Sequence, residues 1–187
     1  AQGLNFNTPR LPGKEYWAYE DLQALVDRCG EYGMSVDMLE NVPIEFYDDV
    51  MLAGPGRDRQ IENYCKIIEN MGRAGIPVLG HHFAPNFVWR TSNDVIGRGN
   101  VHVTAYDARE ERRTGNSVQY SYVDDRPIPE REVLWENYAY FLDRVLPVAE
   151  QSNVKLAVHP SDPPVEVCGG APRIFASLED LFYAEKL

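Results

Sequence analysis

Three short polar groups in the sequence have residue types that can bind a metal ion or a polar substrate. Glu40-Asn41 follow the apolar segment "SVDML", His81-His82 follow "IPVLG", and His159 follows "VKLAV". A neutral imidazole is a common ligand of divalent transition metals, and a carboxylate can bind a metal or substrate hydroxyl groups. The sequence therefore predicts a polar site where three apolar segments end.

Each of these groups also has a purely structural interpretation. His159 could be a turn histidine held by a backbone carbonyl, and Glu40 could form a salt bridge in a loop. Adjacent residues of a strand face opposite ways, so at most one of His81 and His82 can reach a common site. We favour His82, because Gly80 lies on the same side and leaves room for it, and we expect the other histidine to pack against a helix.

Three further residues are candidates for binding a substrate. Arg90 and Arg173 carry guanidinium groups that match a carboxylate in a bidentate way, although surface ion pairing is the usual role of an arginine. Asp162 lies three residues after His159. Its carboxylate could fix the tautomer of that imidazole, or it could form an Asx turn within "SDPP".

The segments that carry these residues alternate between strand and helix patterns. Apolar periodicity predicts helices at about 19–33, 59–75 and 131–151, and a fourth helix that starts after Ser177 as its N-cap. The intervening strands "MSVDMLENVP", "IPVLGHHFAP" and "VKLAVHP" are almost continuously apolar. This alternation is typical of parallel βαβ units.

The position of the polar residues favours one parallel architecture over another. No predicted strand is followed by a glycine-rich phosphate-binding turn, which weakens a nucleotide-binding doubly wound sheet. Polar residues at the carboxyl ends of strands are typical of the (β/α)8 TIM barrel. With about three strands and four helices, residues 1–187 are interpreted as a single incomplete barrel domain, with a long loop excursion at about 86–129. Its aromatic and arginine residues suggest an ordered lid.

Composition limits the kinds of molecule that the chain is expected to bind. The chain has 187 residues and a net charge of -11, which argues against binding nucleic acid. No apolar run is long enough for a membrane span, and no signal peptide is recognisable. The three cysteines show no C-x-x-C spacing and are expected to be reduced thiols in a cytoplasmic protein. An incomplete barrel has unpaired strand edges, so we expect a homo-oligomer.

Several longer segments resemble the mannonate dehydratases. "VKLAVHPSDPPVEVCGGAPRI" is similar to their His-Pro-x-Asp-Pro-Pro segment and the later Ala-Pro-Arg-Ile. "GPGRDRQIENYCKIIENMGRAGIPVLGHHF" is similar to their Arg-Asp-x-x-Ile-Glu-Asn segment followed by Ala-Gly-Ile. "YEDLQALVDRCGEYGMSVDMLENVP", "VWRTS" and "GRGNVHVTAYD" also resemble family segments. The resemblance covers nearly the whole chain in order.

This resemblance implies a TIM barrel that dehydrates D-mannonate, a small sugar acid, to 2-keto-3-deoxy-D-gluconate in hexuronate catabolism. It implies a divalent metal, usually Mn²⁺ and otherwise Mg²⁺ or Fe²⁺, with His159 as a ligand. The family's other ligands, a cysteine, a second histidine and an aspartate, lie on later strands. Glu40, His82 and Arg90 would then be catalytic residues that orient the substrate, and Asn41, Asp162 and Arg173 would contact it.

The sequence departs from the family pattern at one place. The family usually has Tyr-Asn-Phe where this chain has His81-His82-Phe83, which leaves the identity of the sugar acid open. The alternatives are a xylose-isomerase-like metal-dependent isomerase or epimerase, and a non-catalytic protein that binds sugar acids.

Overall fold

The computed structural model describes residues 2–110 and 126–187. The chain falls into two compact units, which are described separately. The sheet unit is Ala1–His82 with Glu136–His159, and the loop unit is Phe83–Trp135 with Pro160–Leu187. Residues 111–125 of the predicted loop excursion lie outside the described residues.

The strands, in chain order, are β1 (Gly3–Phe6), β2 (Ser35–Leu39), β3 (Val78–His81), β4 (Ser92–Ile96), β5 (His102–Ala105), β6 (Lys155–Val158), β7 (Val167–Cys168) and β8 (Ala171–Pro172). The helices are α1 (Tyr19–Gly30), α2 (Asp48–Leu52), α3 (Arg57–Ala74), α4 (Arg131–Gln151) and α5 (Leu178–Ala184). Short 3₁₀ helices occupy Ile44–Phe46 and Arg98–Asn100. None of the described helices is both long and apolar enough to cross a bilayer.

The sheet unit contains one parallel sheet with the strand order β1-β2-β3-β6. The predicted α/β class with a parallel sheet is therefore confirmed. The predicted strands correspond to β2, β3 and β6, whereas β1 was missed. Its four residues, "GLNF", are too few to show an apolar period, and three of them are only partly buried. The described sheet thus has four parallel strands rather than three.

Helices α3 and α4 supply much of the sheet unit's core. The rings of Tyr64 on α3 and Phe141 on α4 meet edge to face with centroids 5.0 Å apart. Helix α3 ends where Gly75 adopts a left-handed φ of 76°, which glycine adopts without steric cost. The helix predictions at α1, α3 and α4 agree with the structure, and α2 is an addition.

The loop unit contains more strand than expected. Strands β4 and β5 form an antiparallel pair inside the segment that was predicted to be irregular. The side chains of β4 and β5 are mostly exposed, so the pair carries no apolar alternation that would have revealed it. Helix α5 begins as predicted with Ser177 as its N-cap, whose hydroxyl accepts a hydrogen bond from the backbone N–H of Asp180 at 3.2 Å.

Gly80 on β3 allows the backbones of β2 and β3 to approach closely. A Cβ atom there would lie 2.4 Å from the carbonyl oxygen of Glu40 and 2.5 Å from Cε of Met38. We expect Gly80→Ala to lower the free energy of unfolding by about 1–3 kcal/mol, the usual cost of overpacking. Gly30 in α1 is the matched control because a Cβ there meets nothing within 4 Å. The stability of both variants is measured by urea unfolding. Equal free energies of unfolding for the two variants would contradict the expectation.

Candidate active site

The carboxyl ends of β3 and β6 bring two of the predicted site residues together. The strands are parallel, and His81 is aligned with Val158. The backbone N–H of His159 donates to the carbonyl oxygen of His81 at 2.7 Å, which continues this register beyond the strands. The imidazole rings of His82 and His159 lie side by side, with centroids 6.0 Å apart and planes inclined by 47°.

His81 faces away from this pair and packs against α4. Its ring is 2% exposed, and its Nε2 atom lies 3.1 Å from the hydroxyl oxygen of Tyr138. The two rings stack at 5.8 Å, and Phe141 lies at the same centroid distance. Burial lowers the pKa of His81 to about 4, so this imidazole is neutral at physiological pH.

Tyr47 supports the end of β3 and was not identified from the sequence. Its buried hydroxyl donates to the carbonyl oxygen of His82 at 3.0 Å. Burial raises the pKa of Tyr47 well above its ordinary value, so the phenol keeps the proton that it donates. Tyr47 lies in "IEFYDDV", between two predicted elements, and no local pattern of that segment identifies its role.

The end of β2 carries the other two predicted residues of the sheet unit. The backbone N–H of Glu40 donates to the carbonyl oxygen of Phe6 at 2.8 Å, and its side chain is half-buried. Asn41 is 3% exposed, and its Oδ1 atom has no hydrogen-bond partner within residues 2–110 and 126–187. A buried amide oxygen without a donor has lost its hydration, so a ligand hydroxyl could satisfy it.

In the loop unit, two predicted site residues bind each other. Nη2 of Arg90 donates to Oδ2 of Asp162 at 2.5 Å, and the two side chains are 15% and 38% exposed. Nε of Arg90 also donates to the hydroxyl of Thr104 at 3.1 Å. The Asp162 carbonyl accepts from the backbone N–H of Trp89 at 3.3 Å. The ion pair holds both side chains in place.

Arg173 is almost completely buried in the loop unit, with 1% of its surface exposed. Its backbone N–H donates to the carbonyl oxygen of Glu166 at 2.9 Å, and its own carbonyl accepts from Nε of Arg131 at 3.1 Å. Because the side chain is so deeply buried, Arg173 does not form a surface ion pair, which was the alternative interpretation of this arginine.

The side chains at the ends of β3 and β6 include atoms that can bind a divalent transition metal. They could supply only part of its ligand set. The imidazoles of His82 and His159 are suitable nitrogen donors. Within the described parts of the chain, no group of three or more His, Cys, Asp or Glu side chains could hold a metal ion. A complete coordination sphere would need ligands from outside these residues.

Comparison with known proteins assigns the family. The sequence profile described as "D-mannonate dehydratase (UxuA)" matches residues 1–119 and 111–186. Mannonate dehydratase from Thermotoga maritima is 30% identical over 203 residues, which cover 91% of this chain and 54% of that protein. Mannonate dehydratase from Streptococcus agalactiae serotype Ia is 28% identical over 190 residues, covering 90% and 53%.

The fold agrees with this assignment. The crystal structure of mannonate dehydratase from Streptococcus suis serotype 2 matches with a TM-score of 0.79 and 30% identity, covering 97% of this chain and 52% of that chain. The chain spans about half the length of the curated relatives it matches. Sequence profile, relatives and fold agree, and the chain belongs to the D-mannonate dehydratase (UxuA) family.

Proposed function

We propose that the complete protein is a hydro-lyase that converts D-mannonate to 2-keto-3-deoxy-D-gluconate with a divalent metal. The family match supports this reaction, and the observation that carries it in this chain is the pair of imidazoles at the ends of β3 and β6. We further propose that Mn²⁺ is the metal, with Mg²⁺ and Fe²⁺ as the alternatives, and that the protein acts in hexuronate catabolism.

We also propose that the four-stranded parallel sheet is part of a (β/α)8 TIM barrel, and that residues 1–187 form one incomplete domain of it. Support comes from the order β1-β2-β3-β6, in which helices connect parallel strands. Free thiols at all three cysteines suit a cytoplasmic protein. The outer edges of β1 and β6 have no partner strand in the described sheet, and a homo-oligomer would cover them if no further strands of the complete protein do so.

The reaction removes the proton beside a carboxylate and expels a hydroxyl group. That proton is only weakly acidic, so negative charge developing on the carboxylate side must be stabilised. His159 would hold the metal, which when bound would supply positive charge to the substrate carboxylate and its neighbouring hydroxyl. The chain's own residues would bind and orient the substrate and hold its leaving hydroxyl near a proton donor.

Glu40 and His82 are the sheet unit's candidates for orienting substrate hydroxyl groups. Asn41 follows Glu40 directly, and its amide oxygen has no hydrogen-bond partner among the described residues, which supports a substrate contact at Asn41. Arg90 is proposed to bind a substrate carboxylate, and Asp162 and Arg173 are proposed contacts. Because Asp162 already binds Arg90, a substrate carboxylate would have to replace Asp162 or share the guanidinium with it.

The test is keto-acid formation from D-mannonate by the protein expressed from its complete reading frame, with Mn²⁺ and with EDTA. We expect product with Mn²⁺, loss of product with EDTA, and recovery when Mn²⁺ is restored. No product from a protein that still binds Mn²⁺ would overturn D-mannonate as the substrate. It would favour another sugar acid or a xylose-isomerase-like isomerase or epimerase. Absence of both product and metal would favour a non-catalytic sugar-acid-binding protein.

A further inference from the structure

A buried tyrosine holds the backbone at the end of β3. The hydroxyl of Tyr47 donates to the carbonyl oxygen of His82 at 3.0 Å, and Tyr47 is 1% exposed. This carbonyl belongs to the residue whose imidazole is proposed to orient a substrate hydroxyl. A hydrogen bond that water cannot reach constrains its two partners more strongly than a bond at the surface. The placement of Tyr47 therefore bears on the placement of the His82 side chain.

The segment that carries Tyr47, residues 44–52, is itself held by a side chain of α3. Nε2 of Gln60 donates to the carbonyl oxygen of Glu45 at 3.2 Å and to Oδ1 of Asp48 at 2.6 Å. Oε1 of Gln60 accepts from the backbone N–H of Val50 at 3.2 Å. These three partners lie on both sides of Tyr47 in the sequence. One buried amide group therefore ties the backbone before and after Tyr47 to the same helix.

Helix α4 also holds segment 44–52. Nδ2 of Asn137, which is 4% exposed, donates to the carbonyl oxygen of Met51 at 2.9 Å. The rings of Tyr47 and Tyr64 meet edge to face with centroids 6.0 Å apart, and Tyr64 lies on α3. Polar and aromatic contacts with two long helices restrict the position of the Tyr47 phenol. A rigid support of this kind keeps an active-site group within the narrow range of orientations that catalysis requires.

We infer that Tyr47 is a positioning residue for the reaction. It holds the His82 peptide so that the imidazole meets the substrate hydroxyl in the reactive orientation, and Tyr47 itself need not touch the substrate. The inference rests on the proposed function in taking His82 as a residue that orients the substrate. The alternative is that the hydroxyl of Tyr47 contributes only to the stability of the fold, as buried hydrogen bonds commonly do.

The experiment compares Tyr47→Phe with Tyr64→Phe in the protein expressed from its complete reading frame. Each variant keeps the aromatic ring and loses one buried hydroxyl. The hydroxyl of Tyr64 has no hydrogen-bond partner among residues 2–110 and 126–187, so only Tyr47→Phe removes the bond to His82. D-mannonate turnover gives kcat and KM, and titration calorimetry gives the Mn²⁺ affinity. The imidazole resonances of His82, assigned with His82→Gln, are recorded by NMR in EDTA.

We expect kcat of Tyr47→Phe to fall about 10-fold, with KM changed by less than about two-fold, because orientation is lost rather than a substrate contact. The Mn²⁺ affinity should not change, and Tyr64→Phe should keep the parent's kcat and KM. In a His82→Gln background, Tyr47→Phe should cause no further loss of turnover, because its effect passes through that imidazole. A role in stability alone would leave kcat per folded molecule unchanged.

The NMR measurement separates this inference from the proposed reaction. The His82 resonances should shift in Tyr47→Phe and stay in place in Tyr64→Phe. Unshifted His82 resonances in folded Tyr47→Phe, or an unchanged kcat where the parent turns over D-mannonate, would overturn the inference. If the parent shows no turnover, a shift confined to Tyr47→Phe would still support the positioning of His82. That result would overturn only D-mannonate as the substrate.

Discussion

Metal-dependent keto-acid formation by the complete protein is expected to fall by about 100-fold or more in His159→Ala. Losing a residue that only supports a metal ligand typically costs about 10–100-fold, and losing the ligand itself should cost at least as much. The substitution removes the imidazole but keeps the backbone N–H that donates to the His81 carbonyl. The register of β3 and β6 should therefore survive. Activity with D-mannonate and Mn²⁺, together with the Mn²⁺ affinity, measures the effect.

His102→Ala is the control for loss of a histidine. Its side chain is 66% exposed and interacts with Asp94 in the β4–β5 hairpin, so its removal should leave Mn²⁺ affinity and turnover unchanged. Circular dichroism checks that both variants fold. A folded His159→Ala variant with the parent's Mn²⁺ affinity would contradict the role of His159 as a ligand.

Acidification is expected to destabilise the protein through His81. Its pKa is about 4 in the folded chain, whereas the ordinary value of 6.5 applies once it is unfolded. Between these two pH values the unfolded state binds the proton more readily than the folded state. The free energy of unfolding therefore has its full value above pH 6.5 and falls as the pH drops toward 4. From pH 7.5 to pH 5 this one group should lower the free energy of unfolding by about 2 kcal/mol.

The measurement is urea unfolding of the complete protein at both pH values, in EDTA so that metal release does not contribute. His81→Phe keeps an aromatic ring and removes the titration, so we expect its pH dependence to be smaller by about 2 kcal/mol. Tyr138→Phe removes the hydroxyl beside Nε2 and keeps the titrating imidazole, so it should retain the parent's pH dependence. An NMR titration showing a charged His81 at pH 5 in the folded protein would contradict this explanation.

Local sequence patterns were sufficient to predict the positions of most of the helices. Apolar stripes with a helical period located α1, α3 and α4, and Ser177 with Asp180 located the start of α5. These signals depend on residues a few positions apart, which is why they can be read without the fold. The hairpin β4–β5 and strand β1 lack such a period because few of their side chains are buried.

The contacts that hold the predicted site residues in place could not be predicted from local sequence patterns. Arg90 and Asp162 were each proposed to meet a substrate, yet they are 72 residues apart in sequence and bind each other. Tyr47 reaches the His82 carbonyl across 35 residues. Such contacts depend on where the strands and loops are placed, and no periodicity of one segment encodes them.

By itself, the sequence predicted that two adjacent histidines at the end of β3 would face opposite ways, with His82 favoured for the site, and that His159 would follow another parallel strand. Only the tertiary structure decided which residues each histidine meets. Helix α4 brings Tyr138 and Phe141 against His81, and the register of β3 with β6 sets His82 beside His159. The alternation of a strand divides its side chains between two faces, but the elements packed on those faces determine what each side chain can do.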